Sequence, residues 1–136
     1  MNTSYQTSGV TVNPGADRSG ASTNPAVVDF LSRAAQIDGR PMTITTGTRH
    51  NQLVAGTTRQ SEHWDGNAAD ITAYGDDLIR KGQAALIAAG MSEAEARSQK
   101  GGLFNVNGYQ IIFNTHKGGN HTDHLHVGVG RARSDV

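Results

Sequence analysis

Apolar residues first recur at helical spacing over Val27, Phe30, Leu31 and Ala34. Asn24 suits an N-cap, Pro25 suits the first helical position and Gly39 ends the run, so a helix is predicted there. Residues 42–46 alternate in a Thr-rich stretch and predict a strand. Residues 47–66, broken by Gly47, Gly56 and Gly66, predict irregular chain, and residues 68–73 a second strand. A helix capped by Asp76 or Asp77 then runs to about Ala89, with Leu78, Ala85, Leu86 and Ala89 on one face, and Gly90 stops it. Ser92 and Glu95 form a capping box for a short helix closed by Gly101 and Gly102. Residues 103–106 and 109–113 flank Asn107-Gly108, a pair suited to the positive φ angles of a type I′ hairpin turn. Residues 124–129 alternate as a last strand. Residues 1–23 are rich in Ser, Thr, Asn and Gly and predict an extended or mobile arm ahead of a folded unit over 24–136. Two or three helices and four or five strands, with strands both in a hairpin and after helices, predict a small α+β domain with a central, mainly antiparallel sheet.

Composition narrows the function. The 136 residues amount to one domain and suffice to bury one core without covalent staples. Twelve basic and twelve acidic residues cancel, which argues against a nucleic-acid partner held by a basic face and against a polybasic membrane surface. No apolar run approaches a membrane span, so no membrane insertion is expected. The first twenty residues lack the basic-then-apolar order of a secretory signal. The absence of cysteine excludes a thiol nucleophile and every zinc site built on thiolate.

There are six histidines, and four of them (His116, His121, His124 and His126) lie within eleven residues. On an ideal strand His124 and His126 share one face, while Leu125, Val127 and Val129 share the other. The apolar set predicts the core face, and the histidine face predicts a cleft. Upstream, His63 and Asp70 stand seven residues apart with Gly66 between them, a spacing that lets the chain turn back and bring both side chains to one ion. Imidazole and carboxylate both suit Zn²⁺. With His126 as a third ligand, one coordination position stays open for water, which is the catalytic rather than the structural arrangement. A base is then needed for that water's proton, and Asp123 and His124 are the candidates. Strict alternation turns Asp123 away from His126, so it serves only if it precedes the regular strand. Gly118-Gly119-Asn120 predicts such a loop. The helical H-E-x-x-H motif is absent.

Taken together, these two patterns resemble the zinc peptidoglycan peptidases of the D-alanyl-D-alanine carboxypeptidase group. That group includes L-alanyl-D-glutamate endolysins and is related in fold to lysostaphin and the hedgehog N-domain. Its S-x-H-x-x-G-x-A-x-D signature is matched by Ser61, His63, Gly66, Ala68 and Asp70, and its downstream acid and histidine by Asp123 and His126. The resemblance covers roughly residues 24–130. It implies His63, Asp70 and His126 as zinc ligands and Asp123 as general base, in a place the family usually gives to Glu. It implies His124 as a second catalytic or oxyanion-stabilising group, by analogy with the H-x-H pair of lysostaphin-like enzymes. Arg49, in Thr45-Thr46-Gly47-Thr48-Arg49, matches the family's substrate-binding arginine, and a planar guanidinium suits a stem-peptide carboxylate. Gln52 and Ser61 are weaker candidates for holding substrate. His50, His116 and His121 receive no role, beyond the option that one of them orients a ligand.

The resemblance implies hydrolysis of bacterial peptidoglycan stem peptides by a monomeric zinc enzyme. An L-Ala–D-Glu or other endopeptidase cut suits a phage lysin, a tail-associated hydrolase or an injected effector, made in the cytoplasm and acting on the wall. The alternatives are a D-Ala-D-Ala carboxypeptidase and a non-catalytic zinc-bearing binding module of the same fold.

Overall fold

In the computed structural model, which describes residues 9–12, 25–45, 68–116 and 120–129, the two long apolar stripes become two packed helices. Helix α1 (Pro25–Asp38) buries Val27, Val28, Phe30, Leu31, Ala34 and Ala35. It ends at Gly39, whose φ of 76° needs no Cβ and whose N–H closes on Ala35 O at 2.8 Å. The expected cap, Asn24, lies outside the described residues.

Helix α2 (Gly75–Ala88) starts earlier than the acidic pair predicts. Its N-cap is Tyr74, which makes no side-chain capping bond, while Asp76 and Asp77 sit in the first turn. There the carboxylates still face the positive end of the helix dipole. The reason is Gly75: its φ of 56° turns the chain from extended Tyr74 straight into the helix. The short helix α3 (Glu93–Arg97) begins as expected, with the Ser92 side chain accepting from the Glu95 N–H at 3.2 Å. It ends at Ser98, before the glycine pair. Gly101 and Gly102 instead admit close chain approach at the start of the next strand, since a Cβ on Gly101 would stand 2.4 Å from Asn114 O.

Six strands are seen among the described residues: β1 (Val10–Val12), β2 (Met42–Ile44), β3 (Ala68–Thr72), β4 (Gly102–Val106), β5 (Tyr109–Phe113) and β6 (His124–Val129). The last four form an antiparallel sheet in the order β3-β6-β5-β4. The β4–β5 turn has Asn107 at φ 49° and Gly108 at φ 94°, as the Asn-Gly pair predicts. The Asn107 amide also donates to Ala89 O at 2.8 Å, covering a free carbonyl at the end of α2. β1 and β2 make a separate parallel pair, in register Val10 with Met42. Thus Val10–Val12, inside the stretch read as an arm, is a strand with Val10 fully buried. Two valines in a polar stretch are too few to show a period, and only the burial of Val10 reveals the strand's packing.

One face of the antiparallel sheet joins the core. Leu125 and Val127 on β6, Ile71 on β3 and Ile111 and Phe113 on β5 are essentially inaccessible and share one cluster with α1 and α2. At the contact of α2 with β5, a Cβ on Gly82 would stand 2.3 Å from the Phe113 ring. Alanine normally gains about 1 kcal/mol over glycine inside a helix. Phe113 is fully buried and has no room to retreat, and overpacking of this kind costs about 1–3 kcal/mol. Gly82→Ala is therefore expected to be net destabilising, read as a lower urea midpoint at unchanged m-value; a raised midpoint would refute the close-contact account. No helix among the described residues is long and apolar enough to cross a membrane.

Candidate functional site

The other face of the sheet carries the polar groups. Alternation along β3 turns Asp70 and Thr72 away from the core, and along β6 it does the same for His124 and His126. Register then pairs them: Asp70 lies opposite His126 and Thr72 opposite His124. Cross-strand neighbours on one face are close enough for side chains to meet. Asp70 Oδ1 stands 3.0 Å from His126 Nδ1, and Asp70 Oδ2 stands 3.9 Å from His124 Nε2. One carboxylate therefore bridges the edges of two imidazoles.

Asp123 precedes β6 rather than lying in it. Its carbonyl accepts from Ala73 N–H at 3.2 Å, which fixes the backbone just ahead of the strand. Released from strict alternation, its carboxylate turns to the histidine face and accepts from His124 Nδ1 at 2.7 Å. Asp123, His124 and Asp70 then line one open cleft of about 350 Å³ together with Thr45, Thr72, Tyr74 and Asn120.

The backbone beneath Asp70 is clamped from the other side. Thr45, just after β2, donates its N–H to Asp70 O at 2.8 Å, and its hydroxyl reaches the same oxygen at 3.2 Å. The short β1–β2 pair thus supports the strand that carries the carboxylate.

His121 was not assigned by sequence reasoning, and the fold brings it to the site. It is buried, its ring centroid lies 4.7 Å from that of His124 and 5.7 Å from that of His126, and its backbone is tied to Asn114 and Thr115. Packed against both rings, it limits where they can turn. It lies before β6, so no strand period marks it; the nearness of three histidines in H-T-D-H-L-H is the only sequence signal. His116 is exposed at the bend after β5. His63, Arg49, Gln52, Ser61 and His50 lie outside the described residues.

Two ligands of one tetrahedral zinc, each roughly 2.0–2.2 Å from it, stand about 3.3 Å apart. The 3.0 Å between Asp70 Oδ1 and His126 Nδ1 is close to that separation. An imidazole nitrogen and a carboxylate oxygen this close, with Asp70 on the open cleft, fit the ion in type and spacing. Among the described residues no group of three such side chains has the arrangement of a complete metal site; the third expected donor, His63, is not among them.

The sequence model of the family Peptidase M15 matches residues 3–100, well over half of the chain. The match contains the His63–Asp70 segment and stops before β6. No curated protein and no solved structure gives a match. The place of His126 beside Asp70 therefore rests on strand register alone.

Proposed function

The chain belongs to the peptidase M15 family, and from that membership we propose that it is a zinc-dependent hydrolase of bacterial peptidoglycan stem peptides, acting as an endopeptidase of the L-Ala–D-Glu type. The observation that carries the reading is the cross-strand meeting of Asp70 and His126 beside the Asp123–His124 pair, on the open face of the sheet. His63, Asp70 and His126 would hold the metal, and Zn²⁺ bound there would supply Lewis-acid polarisation of the scissile carbonyl and lower the pKa of the attacking water.

This chain's own groups do the remaining work. Asp123 is half-exposed to the cleft, takes a proton from the attacking water and later delivers it to the leaving amine. His124 Nδ1 holds the Asp123 carboxylate at 2.7 Å. Its Nε2 edge, directed to the Asp70 side, faces the oxyanion that develops on the scissile carbonyl. His121 keeps the rings of His124 and His126 in place. Arg49 binds a stem carboxylate bidentately, with Gln52 and Ser61 holding neighbouring polar groups. This chemistry suits a protein made in the cytoplasm and delivered to the wall, as a phage lysin, a virion-associated hydrolase or an injected effector.

Mass spectrometry of muropeptides, after incubation of zinc-loaded protein with peptidoglycans of several stem types, tests the reading. A new free amine on D-Glu is the expected product. Loss of one terminal D-Ala would assign the carboxypeptidase reaction instead. No product from any wall, with zinc bound, would reduce the protein to a binding module.

A further inference from the structure

Tyr74 breaks two local rules at once. It occupies the N-cap of α2, where Ser, Thr, Asp or Asn would satisfy a free N–H, yet its side chain makes no capping bond. It is also 66% exposed, and only Ile37, at 37%, joins it as an exposed large apolar side chain among the described residues. Departures of this kind from local consistency concentrate at functional sites. Tyr74 lies on the cleft that holds Asp70, Asp123 and His124.

Its position in the row gives the departure a meaning. The chain stays extended through Tyr74, with φ −137° and ψ 150°, so Asp70, Thr72 and Tyr74 fall on one face at every second residue. From Asp70 to Tyr74 the row runs about 13 Å, at about 3.3 Å per residue. Between them, the Thr72 hydroxyl pairs with that of Thr45 at 2.9 Å. A hydroxyl has one proton and two lone pairs, so this pair retains capacity to bond a further polar group in the cleft. Besides Asp70, Asp123 and His124, the described lining consists of hydroxyls, a phenol and the Asn120 amide.

We propose that Thr45, Thr72 and Tyr74 form a substrate-binding strip that holds an uncharged, extended segment of peptide about two to four residues from the scissile bond, with Tyr74 as its specificity-determining contact. The proposal rests on the peptidase reading above. The threonine hydroxyls bond the peptide backbone, and the Tyr74 ring packs on the side chain beyond it. No lysine or arginine among the described residues lines the cleft to pair with a carboxylate in that segment, so an uncharged one is favoured.

The test uses two synthetic stem peptides containing the bond that the wild-type protein cuts. One extends across the strip with uncharged residues; the other is truncated before it. Tyr74→Ala is expected to lower kcat/KM on the long peptide about ten-fold, the range of one apolar contact, and to leave the truncated peptide unaffected. Tyr74→Phe should restore most of the loss, and Thr72→Val should weaken the long peptide alone. The thermal midpoint should not move, since an exposed side chain is being exchanged at a position it does not cap. Unchanged kcat/KM on the long peptide, or an equal fall on both, would overturn the strip while leaving the peptidase reading intact. Failure of wild-type protein to cut either peptide would overturn that reading, and the strip with it.

Discussion

Asp123→Ala is expected to retain the zinc stoichiometry of the wild-type protein and to hydrolyse stem peptide about 10²- to 10⁴-fold more slowly, the contribution of a positioned general base. The expectation follows from placement. Asp123 lies one residue before β6, its carboxylate turned onto the face that carries His124 and His126, and its oxygen is bonded to His124 rather than to Asp70 or His126. It is therefore separate from the pair assigned to the metal. Its backbone carbonyl, which holds Ala73 N–H, survives the substitution, so the entry into β6 is preserved. Metal analysis and turnover are read on the same preparation. Full turnover with zinc bound would remove Asp123 from the role and pass it to His124, whose Nε2 already faces Asp70. Loss of zinc together with activity would instead make Asp123 part of the metal site.

The second large effect is at His126. His126→Ala is expected to lose bound zinc and, with it, measurable hydrolysis, while the protein stays folded. Metal affinity is shared among few ligands, so loss of one leaves an incomplete site that a chelator empties. The fold should survive, because His126 lies on the cleft face of β6 while Leu125 and Val127, its neighbours in sequence, hold the core. Far-UV circular dichroism and the thermal midpoint report the fold; metal analysis after dialysis reports the site. Zinc retained at wild-type stoichiometry would exclude His126 from the ligand set, and the short approach to Asp70 would then be a simple cross-strand hydrogen bond.

The helices and the antiparallel sheet were legible because each spans several periods of its own pattern. Phe30, Leu31 and Ala34 on α1 and Leu125 and Val127 on β6 are buried as their spacing predicts. The hairpin was legible for a different reason: Asn107 and Gly108 tolerate positive φ, and both adopt it. Where the reading slipped, a local signal was overruled by neighbours. Gly75 starts α2 ahead of the acidic pair because β3 delivers the chain directly into the helix. Gly101 is small for the sake of Asn114, across the β4–β5 ladder, and not to end α3.

The same division holds at the site. The sequence by itself determined which residue types could serve: His63 and Asp70 in one motif, His124 and His126 on one strand face, and Asp123 ahead of that strand. These are facts of spacing and alternation, which act over a few residues. Only the tertiary structure decided that Asp70 and His126, 56 residues apart, meet at 3.0 Å, that His121 packs on both rings, and that Thr45 and Tyr74 join the cleft. Those pairings depend on which strand lies beside β6 and in what register, and on where β2 ends. A shift of one residue in that register would turn Asp70 from His126 to the core face. Register is set by the burial of Ile71, Leu125 and Val127 together, a property of the packed sheet that no single segment contains.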